Sequence, residues 1–359
     1  MEKIIFFLPC FYSPEDKRST GGTISNYLLV KELLSRYDVT IVAAETSKYF
    51  DLDIKLVAGD ESISDIYHNN ISARLRRVLR WRWINSSFRA TKFQEYRYVV
   101  LTNGTLISGY KLIDDNKLII LTRAFEDFYM LRDSFGNLLK KKLLQISDNE
   151  ARKAYRKASL IITNSKFMLS KISDYFEIPK KNIDILYPPI SFPEDVKFSF
   201  SKNRFNICMI NPSPSKGENI FLGLADKFPD FSFSYYSRYD KKYSKNNVKY
   251  MGWGGNHCDM FATIDLLLVP SQWEEPFGRV AAEGILYGKP VLVSNRGGLP
   301  EIVSDYFIVQ DDDIDSWGLK IKEIKDDAPM VEEKWNEAVD IAVKFSYVQH
   351  NKKLAELFK

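Results

Sequence analysis

The stretch Pro270–Val303, PSQWEEPFGRVAAEGILYGKPVLVSNRGGLPEIV, constrains this chain more than any other. Ahead of it the apolar run ATIDLLLV (262–269) has the length of a strand, and Pro270 and Ser271 interrupt it. Glu274 and Glu275 then precede Pro276, Phe277 and Gly278. Beyond them Val280, Ala281, Ile285 and Leu286 share one side of a helical pattern, and PVLVS (290–294) reads as the next buried strand. Strand, loop, helix, strand is an α/β order. It puts the loop at the carboxyl end of a strand, where open α/β sheets bind ligands.

A helix that starts near Gly278 leaves the backbone N–H groups around Phe277, Gly278 and Arg279 as unpaired first-turn donors at the positive end of the helix dipole. A diphosphate suits such a site. Glu283 lies about five residues further on, roughly 7 Å along the axis. There a carboxylate can accept hydrogen bonds from a ribose diol. Glu275 precedes the helix, on the other side of the phosphates, at the place of a sugar. Taken singly, each glutamate also fits a solvated helix face; their shared loop favours ligand binding.

Glu275 and Glu283 form a Glu, seven residues, Glu pattern inside EEPFGRVAAEG, flanked by PSQWEEPFG, GKPV and GGLPEIV. This stretch resembles the retaining family 4 glycosyltransferases of the GT-B fold. In that family the first Glu contacts the donor sugar and the second the ribose of the nucleotide, so the resemblance implies those roles for Glu275 and Glu283.

Composition narrows the partners. The chain of 359 residues has room for two domains, with 45% hydrophobic, 27% charged and 14% aromatic residues, which are globular values. A net charge of +4 is small, and no zinc-finger or RNA-binding signature appears, so no nucleic acid is expected. Cys10, Cys208 and Cys258 are far apart without metal spacing and read as free thiols of a cytoplasmic protein. The start MEKIIFFLPC is too short for a signal-peptide core, and no run of eighteen apolar residues occurs.

In the first half KIIFFL (3–8), a loop with Gly21 and Gly22, a helical pattern from Ile24 and DVTIVAA (38–44) make a βαβ unit. Gly22 resembles the GT-B glycine loop near donor phosphates and acceptor, although a tight turn explains the pair as well. Residues 66–94 hold no Asp or Glu but carry seven Arg or Lys, with Trp81, Trp83 and Phe88. Within this stretch, residues 71–92 are expected to touch an anionic membrane or an acidic acceptor, or else to form a solvated basic helix packed through Leu75, Val78 and Leu79. YRYVVLT (96–102), KLIILT (117–122) and SLIITNS (159–165) are further strands, with Arg123, Glu126 and Asp127 at one carboxyl end, and Asn164 and Ser165 capping the next helix.

YPPI (187–190) and the irregular segment after it read as a linker, and FNICMI (205–210) starts a new strand. Lys216 and Gly217 then precede a helix from about Glu218. Lys216 is placed to put an ammonium on a phosphate. The family resembled usually also has an Arg after this strand; Asn211 and Pro212 stand there, and Arg279 or Arg238 is left to supply the charge. VKYMGW (248–253) resembles the strand and glycine loop beside the nucleotide base, with backbone contacts from Gly252 and Trp253 through Gly254. Asp311, Asp312, Asp313 and Asp315 are read as helix capping rather than as a metal site.

The fold expected is α/β, two Rossmann-like domains facing across a cleft in the GT-B manner. Residues 1–187 would be the acceptor domain, 188–203 a linker and 204–340 the nucleotide-sugar domain, with 341–359 a helix returning to the first. The activity expected is transfer of a hexosyl group from a nucleoside diphosphate sugar to a glycan or lipid-linked acceptor with retention, in surface polysaccharide synthesis. Glu275 and Lys216 would act at the reacting centre, and no metal or other cofactor is expected. A non-catalytic nucleotide-sugar-binding subunit and a nucleotide-sugar epimerase of the same fold are the alternatives.

Overall fold

A computed structural model of the chain describes residues 1–59, 73–124, 138–193, 195–199, 205–253 and 257–359, with side chains at all of these except 73–78, 103 and 138–147. Glu126, Asp127, Gly254, residues 66–72 of the basic stretch and residues 194 and 200–203 of the linker lie outside them.

Contacts divide the chain into two units: Met1–Asn164 with Met168–Leu186, and Ser165–Phe167 with Tyr187–Lys359. The first is built on β1 (Glu2–Phe11), β2 (Tyr37–Thr46), β3 (Lys55–Ala58), β4 (Tyr98–Thr102), β5 (Leu118–Thr122), β6 (Leu160–Thr163) and β7 (Ile183–Ile185). These form one sheet in the order β3-β2-β1-β4-β5-β6-β7, and every pair is parallel. Ile4–Leu8 are at most 1% exposed. Continuous rather than alternating burial is the mark of a strand covered on both faces, and it explains the unbroken apolar runs in the sequence.

The helices of this unit are α1 (Gly21–Leu33), α2 (Ala73–Ala90), α3 (Leu106–Gly109) and α4 (Leu138–Lys157), with α5 (Lys166–Phe176) after β6, of which Lys166 and Phe167 group with the second unit. Gly21 and Gly22 are not a loop but the first turn of α1. Thr20 caps it, and Thr20 and Thr23 exchange side-chain-to-backbone bonds in a capping box. That box satisfies two first-turn donors, so the helix begins three residues before its first apolar residue, Ile24. Helix α2 packs through Ile84 and Phe88, 2% and 1% exposed, with Phe88 stacked on Phe7 at 3.9 Å; Leu79 is only half-buried.

The second unit repeats the topology with β8 (Asn206–Ile210), β9 (Ser232–Tyr236), β10 (Val248–Tyr250), β11 (Leu266–Val269), β12 (Val291–Ser294) and β13 (Ile308–Val309), in the order β10-β9-β8-β11-β12-β13. All its pairs are parallel. Its helices are α6 (Glu218–Lys227), α7 (His257–Ala262), α8 (Arg279–Leu286), α9 (Ile314–Asp326), α10 (Ala328–Ala342) and α11 (Tyr347–Leu357). The strand expected from 262 begins only at Leu266, because Ala262 still closes α7. Helix α11 groups with this unit, and His350 Nδ1 lies 2.7 Å from the Tyr187 carbonyl oxygen. Among the described residues no helix is long and apolar enough to cross a membrane. None of the three cysteines is in a disulfide; Cys208 is buried and Cys258 exposed.

On α4, Glu150 takes Lys111 Nζ at 2.6 Å, Lys153 Nζ at 2.7 Å and the Tyr110 hydroxyl at 2.9 Å. The two ammonium groups, Lys111 first, and the phenol hold its carboxyl down at about 2, from 4.5. A carboxyl that binds protons more weakly folded than unfolded stabilises fully above its unfolded pKa and loses that effect as the pH falls through its folded one. Glu150→Gln is therefore expected to cost about 0.5–1 kcal/mol at neutral pH. Thermal melts of the two proteins should converge as the pH drops from 4.5 toward about 2.

Candidate active site

In the second sheet β8 and β11 are neighbours although two strands separate them in the chain. Strand order reverses there, and the carboxyl end of such a switch point is where open α/β sheets bind ligands. The loop after β8 runs from Asn211 to Gly217, and the loop after β11 from Pro270 to Gly278. The Gln272 N–H donates to Ser215 O at 2.9 Å. A Cβ on Gly217 would stand 1.9 Å from Pro270 O, and Gly217 has φ +85. Only glycine fits both the conformation and the space. Asn211, where the family resembled has its Arg, is itself left-handed at φ +52, a conformation that Asn accepts more readily than most side chains.

This approach brings Lys216 to Glu275, Nζ to Oε1 at 3.8 Å, while Trp273 Nε1 donates to the same Oε1 at 3.1 Å. The Glu275 side chain is 13% exposed and that of Lys216 38%. Behind Glu275, the Gly298 N–H donates to Glu275 O at 2.7 Å. A Cβ on Gly297, φ +63, would lie 2.2 Å from that same oxygen. The glycine pair of GGLPEIV thus supports the Glu275 backbone from below. The next residue of that segment to matter is Glu301. Within the second unit its carboxylate accepts the N–H groups of Lys166 and Phe167 at 2.9 and 2.6 Å, while the Ser165 hydroxyl donates to Pro276 O at 2.5 Å. Glu301 thus meets first-turn N–H groups of the helix that Asn164 and Ser165 are expected to cap.

Phe277 is 3% exposed and packs edge-on against Phe345 at 5.0 Å. Gly278, φ +98, is the N-cap of α8 and has no side chain to offer its first turn. Glu283 lies in the second turn, 9% exposed, and its Oε1 accepts from Arg279 Nε at 3.1 Å. The other arm of that guanidinium, Nη1, donates to Pro189 O at 3.0 Å. Gly252 (φ +86) and Trp253 stand just past β10, two strands from β8. Trp253 is 46% exposed, with the Arg238 guanidinium 5.5 Å from its ring centre.

The structure therefore brings Lys216 and Glu275 together, with Phe277, Gly278, Arg279 and Glu283 following on the same loop and helix, and places Gly22 in the first unit. Sequence reasoning missed Trp273, whose indole orients Glu275 from two residues away, and the partners of Arg279. Of the four aspartates Asp313 caps α9, accepting from Ser316 N at 2.8 Å, while Asp312 and Asp315 pair with Arg296 and Lys227. Among the described residues no group of three His, Cys, Asp or Glu is arranged to hold a metal.

Residues 230–340 match the family model for glycosyl transferases group 1. A solved structure, HepE (Alr3699) from Anabaena in complex with UDP and glucose, superposes with a TM-score of 0.70 at 18% identity, covering 99% of each chain. The fold is GT-B. Two curated relatives match in part. A 41.2 kDa protein in the cps region of Klebsiella pneumoniae is 31% identical over 172 residues, 42% of this chain and 46% of its own. The lipopolysaccharide 1,2-N-acetylglucosaminetransferase of Salmonella typhimurium is 47% identical over 47 residues, 13% of this chain and 12% of its own. The chain thus spans less than half the length of either relative.

Gly217→Ala tests the contact that joins the two loops. It is expected to lower stability by at least about 1–2 kcal/mol from the left-handed backbone alone. Denaturant unfolding followed by tryptophan fluorescence measures it, and an unchanged midpoint would contradict the close approach.

Proposed function

We propose that this chain is a glycosyltransferase that moves a hexosyl group from a nucleoside diphosphate sugar to a hydroxyl of a glycan or lipid-linked acceptor, with retention and without a metal. The observation that carries the reading is the pairing of Lys216 with Glu275 at the switch point of the second sheet, one loop ahead of α8 and Glu283. As the bond from the anomeric carbon to the diphosphate breaks, negative charge grows on the departing oxygens. The Lys216 ammonium and the N–H groups of Phe277, Gly278 and Arg279 stabilise it there. Glu275 accepts hydrogen bonds from the sugar hydroxyls, and Glu283 from the ribose. Backbone groups at Gly252 and Trp253 border the base, and Gly22 serves the acceptor side.

No side chain of the site is an evident covalent nucleophile. The acceptor hydroxyl then forms its bond to the anomeric carbon on the face that the diphosphate leaves, and its proton passes to a diphosphate oxygen. Trapping a glycosyl enzyme would contradict this. The reading is supported by the HepE complex with UDP and glucose, and the relatives from a cps region and from lipopolysaccharide synthesis favour a surface polysaccharide as product.

Thermal shifts with UDP, GDP, ADP, dTDP and CMP test the donor site. Binding to the folded state alone adds about 2.7 kcal/mol at a hundredfold excess over Kd. One diphosphate is expected to stabilise the wild type and to lose most of that effect in Glu283→Ala. A donor sugar that is bound but never transferred to any glycan acceptor would identify a binding subunit instead.

Helix α2 supports peripheral contact with the cytoplasmic face of an anionic membrane. Trp81 is 56% exposed, and Arg82 and Arg89 are exposed beside it, while Ile84 and Phe88 hold the helix to its own sheet. An amphipathic tryptophan among arginines suits the headgroup layer. Wild-type protein is expected to sediment with phosphatidylglycerol vesicles at low salt, and a variant carrying Trp81→Ala with Arg82→Glu to stay in the supernatant. Equal partitioning of the two would remove the membrane role.

A further inference from the structure

Arg279 is the residue whose placement local helix energetics does not explain. It opens α8 at the positive end of the dipole, where a cation is disfavoured, and no acidic residue lies in that first turn. Its pair with Glu283 runs cation first, carboxylate four residues later, which is the weaker orientation on a helix. Both side chains are nevertheless largely buried, 17% and 12% exposed. The guanidinium spans two acceptors: Nε donates to Glu283 Oε1 at 3.1 Å, and Nη1 to Pro189 O at 3.0 Å. Pro189 is itself fixed, since the next residue, Ile190, donates its N–H to Phe345 O at 2.8 Å.

We propose that Arg279 is a positioning residue for donor selection, holding the Glu283 carboxylate so that its second oxygen faces a ribose diol and selecting ribonucleotides over deoxyribonucleotides. The inference rests on the ribose role of Glu283 given above and deepens it. A glutamate has three side-chain torsions, and a buried one without a partner would be costly to keep ionised. The planar fork of arginine solves both problems by anchoring one carboxylate oxygen to a fixed carbonyl. Oε2 makes no protein hydrogen bond among the described residues and keeps its lone pairs for the two ribose hydroxyls. These two bonds use two of the five guanidinium donors and hold the group between Glu283 and Pro189 O; Arg279 is assigned to the diphosphate through its backbone N–H, and Lys216 as the side-chain cation.

The test is calorimetric titration of wild type, Arg279→Met, Arg279→Lys and Glu283→Gln with whichever of UDP, GDP and ADP binds best, with its 2′,3′-dideoxy counterpart and with the ribonucleoside monophosphate. The wild type is expected to prefer the ribonucleotide by about tenfold or more, the worth of hydrogen bonds to a charged group. Arg279→Met and Glu283→Gln should each lose that preference, leave dideoxy binding unchanged, and weaken mono- and diphosphate alike. Arg279→Lys keeps the charge but cannot bridge both acceptors and should lose most of the preference, which preserves the test if the methionine variant does not fold. A loss shared equally by ribo and dideoxy ligands, or confined to the diphosphate, overturns the positioning role and makes Arg279 structural or a phosphate ligand. An unchanged preference in Glu283→Gln overturns the ribose reading beneath it, and binding of none of the three ribonucleotides overturns the ribonucleotide selection.

Discussion

The backbones of Gly217 and Pro270 approach so closely that a single methyl group would not fit between them. The meeting of Lys216 with Glu275 depends on that approach. It joins the loops that leave β8 and β11, the two strands between which the sheet reverses its order. Parallel strands bring their carboxyl ends to one edge, but only at such a reversal do the connecting helices depart to opposite faces and leave an open crevice. With Ser215 and Gln272 hydrogen-bonded across it, a lysine from one loop meets a glutamate from the other.

The two partners are held very differently. The backbone of Glu275 rests on Gly297 and Gly298, whose missing side chains let a third loop pass directly beneath it. Trp273 fixes the carboxylate from the side. Lys216, by contrast, stays over a third exposed on a flexible stem, with one long contact to Glu275. A rigid carboxylate suits recognition of sugar hydroxyls in fixed positions, and a mobile ammonium suits a group that gains charge and then departs. Glycine supplies the rigidity here by permitting backbone contact, the reverse of its usual association with flexibility.

In the first unit a buried carboxylate plays the organising part. Glu45, 1% exposed at the end of β2, receives the Tyr12 hydroxyl at 2.7 Å and the Arg80 guanidinium of α2. Burial, more than its neighbours, pushes the Tyr12 phenol well above its ordinary range. A carboxylate so deeply buried needs a cation and hydrogen bonds in place of the water it gives up. Satisfying Glu45 therefore ties the basic, tryptophan-bearing helix to the ends of the first two strands. The loop before α1 is closed in the same region by Asp16, which Arg18 clasps with two bonds and Ser47 with a third.

Most of the strands and helices were legible in the sequence because their signals are local. A strand covered on both faces needs an unbroken apolar run, a helix needs apolar residues at its own period, and Pro270 and Gly278 mark the breaks. Since strand, loop and helix follow one another within a few residues, Glu275, Phe277, Gly278 and Glu283 could be placed, and Lys216 by the same rule in the preceding repeat. Local signals failed where a longer-range or competing bond decided the outcome. The threonine capping box drew Gly21 and Gly22 into α1, and Glu301 reached N–H groups more than 130 residues away. Nothing in Arg-Val-Ala-Ala-Glu reveals that the arginine also holds a carbonyl 90 residues earlier. The sequence by itself determined which faces are buried, where the backbone turns and which chemistry each loop carries. Which loops meet was decided by the order of strands in the sheet, because strand pairing joins residues far apart in the chain and leaves no period within it.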